Sequence, residues 1–159
     1  MQTDYAIDMK VAMNEGQLVD SGFHDIVDGK NSLSAVRQGS VVLLGASDGL
    51  IIKPAATFAK AAIKGVVVAP SVMEQTSESD PVYLEDSVVP CLRKGRIWVK
   101  VASNVSQGGA VWVTHSGSNA GKFGGSDPGM STGTDVSAMG FQWVTTATSG
   151  NYAQLEVNL

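Results

Sequence analysis

The sequence predicts a mainly β fold, a small β-barrel or sandwich with an extended N-terminal arm, one short helix and a long Gly-rich loop. After residue 33, short runs of β-branched and aromatic residues are separated by turn residues, which is typical of all-β domains. Glycine makes up 18 of the 159 residues, and this length suits one domain. An apolar content of 43% with only 16% charged residues excludes a disordered chain. So few charges indicate a surface that is unusually neutral or buried in an assembly.

The first 30 residues differ from the rest of the chain. They hold six of the 15 acidic residues, and Ile7, Met9, Val11 and Met13 alternate with polar residues. A period of two favours an extended segment, either an edge strand or an arm that reaches a neighbour. A loosely attached terminus explains the pattern equally well. We therefore divide the chain into an N-terminal arm, 1–30, and a β-rich domain, 31–159.

Two stretches carry the clearest strand signals. Val41–Leu44 and residues 50–53 flank a Ser-Asp-Gly turn and predict a hairpin. In residues 96–101, side chains alternate between two faces. Ile97, Val99 and Val101 lie on one face, and Arg96, Trp98 and Lys100 lie on the other. Further strands are predicted over residues 64–69, 110–114, 141–145 and 152–157.

Two segments interrupt this pattern. Residues 54–63 are Ala-rich and begin with a proline suited to a first helical turn, which predicts a short helix or helical turn. Residues 115–135 are rich in Gly and Ser and predict a long mobile loop. The apolar runs are far shorter than the ~20 residues of a membrane helix, so we expect no membrane partner.

The residues capable of catalysis are few. His24, His115 and Cys91 match no catalytic spacing, and one cysteine can form neither an intrachain disulfide nor a cysteine metal cluster. The stretch 117–123 resembles a phosphate-binding loop, but it lacks the first glycine, the final hydroxyl residue and a following helix. We therefore predict no catalytic residues, no metal and no cofactor.

Charges gather in two further places. Glu74, Glu78, Asp80, Glu85 and Asp86 do not match calcium-loop spacing and indicate a solvated acidic loop. A basic cluster comprises Arg93, Lys94, Arg96 and Lys100.

Three interpretations of the basic cluster stay open: a solvated strand face, a protein contact and, least favoured, a nucleic-acid contact. The net charge of −4 argues against general nucleic-acid binding. Trp98 beside Arg96 is a typical interface pair. Burial of Trp98 under a segment of the same chain explains the pattern equally well.

Three blocks of the sequence resemble the structural cement proteins of tailed bacteriophages, which decorate the outside of the capsid. Residues 13–20, MNEGQLVD, resemble the family's N-terminal stretch of small residue, Gly, any residue, Leu, any residue and Asp. Residues 91–99, CLRKGRIWV, are similar to its LRKGRVWV strand pair. Residues 143–150 and 155–159 are similar to its W-x-T-x-A-x-x-G and L-E-x-N-L terminus.

This resemblance implies a β-rich protein without enzymatic activity that binds assembled major capsid protein. It implies a homotrimer at threefold and quasi-threefold positions that clamps neighbouring capsomers on the outer surface of the virion. We expect synthesis in the host bacterial cytoplasm, because the N-terminus lacks a secretion signal.

From these expectations we select candidate contact residues. They are Tyr5, Ile7 and Met9 for the capsid, and Arg93, Arg96 and Trp98 for a subunit or capsid interface. The alternative is a carbohydrate-binding or adhesive β-module that uses Trp112, Trp143 and the 115–135 loop. An enzyme comes third.

Overall fold

A computed structural model describes residues 15–19, 23–31, 35–69, 82–129 and 132–159 of the chain. The strands are β1 Asp25–Asn31, β2 Ala35–Arg37, β3 Val41–Leu44, β4 Leu50–Ile52, β5 Ile63–Val67, β6 Val82–Leu84, β7 Val88–Lys100, β8 Trp112–Thr114, β9 Phe123–Gly124, β10 Gly133–Asp135, β11 Phe141–Trp143 and β12 Tyr152–Asn158. Single turns of 3₁₀ helix lie at Lys60–Ala62, Gly117–Asn119 and Ser137–Met139. The protein is therefore mainly β, as predicted.

The main sheet contains seven strands in the order β1-β4-β3-β5-β7-β12-β11. β1 also pairs with β7, so the pairings connect β1, β4, β3, β5 and β7 in a ring. β12 and β11 continue the sheet beyond this ring. A second sheet has the order β10-β8-β9, and β2 pairs with β6 in a third.

The smaller of two hydrophobic cores is formed by side chains of the ring strands and β2. Its members come from five strands and are Val36, Val42, Ile51, Val67, Val89 and Cys91. Gly29 of β1 faces this core, because a Cβ there would overlap Cγ2 of Ile51. The ring is so narrow that β1 contributes no side chain at the level of Gly29.

The larger core lies between the three-stranded sheet and one face of the main sheet, to which β3, β5, β7, β12 and β11 all contribute. Phe123 of β9 packs against two aromatic rings of β11, with ring centroids 5.6 Å from Phe141 and 6.5 Å from Trp143. The pair with Trp143 is edge-to-face, a favoured aromatic geometry. The fold thus combines a barrel-like ring with a sandwich-like second layer.

Strand β7 is shared by both cores and changes face along its 13 residues. Leu92 and Ile97 both lie in the larger core, although five residues along a regular strand would place them on opposite faces. The pairing with β1 shifts register at Arg93, and Gly95 has a φ of +135°, a conformation that favours glycine. These two irregularities turn the strand from the ring into the sandwich.

The predicted hairpin and the predicted central strand are confirmed. β3 and β4 pair antiparallel, and residues 96–101 extend to the end of β7 and just beyond it. Ile97 and Val99 are fully buried and Val101 is 2% exposed, whereas the alternate residues are exposed or half-buried.

Two predicted irregular segments differ in detail. Only Lys60–Ala62 is helical within residues 54–63, because residues 54–59 lack a helical apolar stripe and only Pro54 and Phe58 of them are buried. The 115–135 segment contains β9 and β10, which are the two edge strands of the three-stranded sheet, so it is not one long loop.

The predicted arm is described in part. Residues 25–31 form β1 in the main sheet, and residues 15–19 run beside β7. Tyr5, Ile7 and Met9 lie outside the described residues, so the arm stays a prediction. Within the described part of the chain, no helix has the length and apolar character needed to cross a bilayer.

Gly29→Ala tests the narrowness of the ring. The added methyl group overlaps Ile51 in a close-packed core, so we expect the free energy of unfolding to fall by about 1–3 kcal/mol. Urea denaturation measures this loss. Asp28→Ala, on the exposed side of the same strand, is the control and should cost less than about 0.5 kcal/mol. An unchanged midpoint for Gly29→Ala would contradict the packing described for the ring.

Candidate interaction surface

The second half of β7 and its neighbour β12 present a half-exposed polar face. Three cross-strand pairs form it, Arg96 with Glu156, Trp98 with Gln154 and Lys100 with Tyr152. Because side chains alternate along a strand, the residues between them face the larger core. We call these six residues the Trp98 face.

The structure brings together two of the three predicted interface residues. Arg96 and Trp98 lie two residues apart on the Trp98 face. Arg93 is half-buried at the register shift, outside this alternation, and its carbonyl accepts a hydrogen bond from Leu159 N–H at 2.9 Å. The register shift therefore separates Arg93 of the basic cluster from Arg96 and Lys100 on the Trp98 face.

Arg96 forms an exposed ion pair. Its Nε lies 3.1 Å from Oε2 of Glu156, and about half of each side chain is exposed. Exposed pairs of this kind contribute little to stability, so both side chains can exchange this contact for one with a partner. Beside them, Phe23 is 81% exposed and lines a shallow cleft together with Lys94 and Arg96.

Residues 15–19 close the other edge of β7. Gly16 N–H donates to the Trp98 carbonyl and Trp98 N–H donates to the Gln17 carbonyl, both at 2.8 Å. Val19 N–H donates to the Arg96 carbonyl at 3.1 Å. The N-terminal part of the chain is thus attached directly beside the Trp98 face.

A buried ion pair anchors this attachment. Oε2 of Glu15 accepts from Nε of Arg37 at 3.1 Å, and only 5% of the Glu15 side chain and 17% of the Arg37 side chain are exposed. A Cβ on Gly39 would lie 2.5 Å from Cγ of Glu15, so the glycine makes room for the carboxylate. Sequence analysis missed this pair, since nothing in the sequence marks two charges 22 residues apart as partners.

Burial governs the protonation of groups around this pair. It raises the pKa of the Glu15 carboxyl above its ordinary value, although the charge of Arg37 opposes the shift. Burial also lowers the pKa of Lys122, and the positive charge of Arg37 lowers it further. Burial raises the pKa of Tyr152, with the carboxylate of Glu15 as a second cause. Since Tyr152 belongs to the Trp98 face, the charged cluster adjoins that face.

A second exposed patch is apolar and lies at the turn between β6 and β7. Leu84 is 69% exposed and Val88 64% exposed. The turn is held by Asn31, whose side-chain amide donates to the carbonyls of Tyr83 and Leu84. Asn31 thus holds a turn whose apolar side chains face solvent.

The remaining sequence candidates occupy structural positions. Cys91 is fully buried in the smaller core, and burial raises the pKa of its thiol to about 12, which leaves no thiolate for nucleophilic attack at neutral pH. His115 is 5% exposed. Glu85 and Asp86 form an exposed turn, in which Asp86 pairs with Lys30 at 3.1 Å. Glu74, Glu78 and Asp80 lie outside the described residues. Among the described residues, no group of three His, Cys, Asp or Glu could hold a metal ion.

The two tryptophans assigned to carbohydrate binding have different positions. Trp143 is fully buried in the larger core, where its Nε1 donates to the carbonyl of Ala110 at 3.0 Å. The prediction that Trp143 binds a sugar is therefore wrong, because its apolar strand neighbours draw it into the core. Trp112 is half-buried and lines an open groove.

Comparisons with known proteins found one protein family and two solved structures similar to this chain. The model of a family described as "Structural cement protein (E217 gp24/Pam3 gp6)" matches residues 1–158. A chain from "The capsid of Myoviridae Phage XM1" shares the fold, with a TM-score of 0.71, 19% identity and coverage of 92% of this chain and 90% of that one. The N base of head fiber gp8.5 of bacteriophage phi29 gives a TM-score of 0.49 at 12% identity, over 86% of this chain and 95% of that one. A search of curated proteins found no match.

Arg37→Met tests the buried ion pair through its pH dependence. A carboxyl whose pKa is raised by folding contributes its stability below its unfolded pKa of ~4.3 and loses it as the pH rises through the folded pKa. Without Arg37 the folded pKa rises further. We therefore expect a loss of about 3 kcal/mol at neutral pH and a much smaller loss below about pH 4.

Urea denaturation at both pH values measures the effect. Arg96→Met removes an arginine from an exposed pair of the same 3.1 Å length and is the matched control, with an expected cost below about 1 kcal/mol at either pH. Equal losses for Arg37→Met at neutral and acidic pH would show that the arginine acts by packing rather than by charge.

Proposed function

The chain belongs to the phage structural cement protein family and has a structural role in the phage capsid, and on that premise we propose that it binds the outer surface of the assembled head as a trimer. In this proposal it sits at threefold and quasi-threefold positions and cements neighbouring capsomers, and it is made in the cytoplasm of the host bacterium. Family membership implies a structural rather than an enzymatic role.

The observation that carries the proposal is the attachment of residues 15–19 beside the Trp98 face. Residues 1–14 precede this attachment, and Tyr5 lies ten residues before Glu15. An extended chain advances at most ~3.3–3.6 Å per residue, so Tyr5 can lie up to about 35 Å from Glu15. That distance lets Tyr5, Ile7 and Met9 contact the capsid at a point beyond the Trp98 face, which serves a subunit or capsid interface.

The charge distribution supports an interface at the Trp98 face. Arg96 and Lys100 outweigh Glu156 in charge on the Trp98 face, and Trp and Arg are the residue types enriched at the centre of protein interfaces. The buried ion pair of Glu15 and Arg37 keeps the start of the arm in register with this face. Trimerisation multiplies modest contacts of this kind into high avidity.

Binding to heads tests the capsid contact. Wild-type protein should sediment with heads that were assembled without it, whereas Trp98→Ala and a chain lacking residues 1–14 should bind at least about tenfold more weakly, the equivalent of one or two lost contacts. Trp112→Ala, a half-buried tryptophan on the second sheet, is the control and should bind as wild type does. If wild-type protein does not sediment with the heads, the cement function is wrong.

Light scattering tests the oligomeric state. At micromolar concentration the free protein should have three times the monomer mass of 16.5 kDa. Arg93→Ala and Arg96→Ala distinguish a subunit interface from a capsid interface. Only a substitution at a contact between subunits lowers the measured mass. A protein that stays monomeric both free in solution and when cross-linked on heads would contradict the trimer.

A further inference from the structure

We propose that the groove beside Trp112 binds a neutral saccharide, a function independent of capsid attachment. The groove has a volume of about 420 Å³, within the range of ~300–1,000 Å³ that is usual for small-molecule sites. It lies on the exposed face of the three-stranded sheet, opposite the larger core. Its lining includes four serines, two threonines, one asparagine and one tryptophan.

Glycines shape the groove. Trp112 pairs across the sheet with Gly124, and Thr114 pairs with Gly133, so neither has a neighbouring side chain on that strand. A Cβ on Gly124 would lie 2.5 Å from Oγ of Ser103, and one on Gly133 would overlap Pro128. The two glycines therefore allow Ser103 and Pro128 to close onto the sheet as the walls of the groove, with the indole of Trp112 between them.

Two polar side chains of the groove form hydrogen bonds within the chain. Oγ of Ser103 accepts from Gly125 N–H at 3.0 Å, and Oδ1 of Asn119 accepts from Nζ of Lys122 at 2.9 Å. The Asn119 amide N–H₂ and the remaining hydroxyl capacity can then serve a ligand. Fixed donors and acceptors of this kind lower the ordering cost of binding.

The chemistry of the lining selects the class of ligand. Every lining residue is uncharged. Lys122 and Asp135 lie next to the lining, but each has a partner within the chain, since Lys122 donates to Asn119 and Asp135 accepts from Ser137. A phosphate or carboxylate would therefore lose its hydration without gaining a counter-charge that is not already paired. A purely apolar molecule would leave the serine and asparagine groups without water. A sugar ring suits both features, because its C–H face packs on the indole while its hydroxyls pair with the polar walls. Single-stranded nucleic acid also stacks on tryptophan, but it needs cations along its backbone.

Titration with neutral mono- and disaccharides, followed by tryptophan fluorescence, and a glycan array test this site. Wild-type protein should bind at least one neutral glycan, and Trp112→Ala should weaken that binding by at least about tenfold. Asn119→Ala should weaken it by several fold, and Trp112→Phe should retain most of it. Trp98→Ala is the matched control, because its indole lies on a different sheet, and its affinity should be unchanged.

Three outcomes would overturn the proposal. They are the absence of any neutral glycan that binds, equal binding by wild type and Trp112→Ala, and binding confined to charged glycans or oligonucleotides. Unchanged urea midpoints show that the variants are folded. Binding of Trp112→Ala to heads separates this test from that of the cement function, since the two can fail independently.

Discussion

Strand β7 is the constraint on which the rest of the structure depends. Its first half pairs with β1 and β5 in the ring, and its second half pairs with β12 in the sandwich layer. One strand serves two cores only if it changes face between them, which it does at Arg93 and Gly95. The same change of face directs Arg96, Trp98 and Lys100 outward while their neighbours stay buried. The candidate interaction surface is thus a consequence of how the two cores are joined.

The buried carboxylate of Glu15 connects this core architecture to the N-terminal part of the chain. Burial of a charge is costly, and here one arginine compensates it in part, as the raised pKa of Glu15 reflects. Backbone hydrogen bonds set the register of residues 15–19 on β7, and the ion pair with Arg37 and the close fit at Gly39 hold the first of these residues in place. The contact proposed for the N-terminal residues needs such a fixed attachment.

Sequence analysis could predict the strands whose pattern is local. The alternation of Ile97, Val99 and Val101 indicated the correct buried face, and the turn at residues 47–49 indicated the correct hairpin. It could not predict contacts between distant segments, such as Glu15 with Arg37. It also interpreted the glycines of residues 115–135 as a loop, because composition does not show that Gly124 and Gly133 pair with the two sides of β8. Trp143 was misassigned for the same reason, since its burial depends on a second sheet that local patterns do not reveal.

The low charge and high glycine content have an explanation within the chain itself. Two cores in one chain of 159 residues place many positions inside, where charges are costly, and Glu15 is the one charged residue counted as buried among the described residues. Several glycines occupy sites where another chain segment lies too close for a side chain, including Gly29 against Ile51 and Gly133 against Pro128. A neutral composition therefore does not require that most of the surface be covered in an assembly. The exposed charges that bear on the proposed assembly are those of Arg96 and Lys100, which flank Trp98 beside residues 15–19.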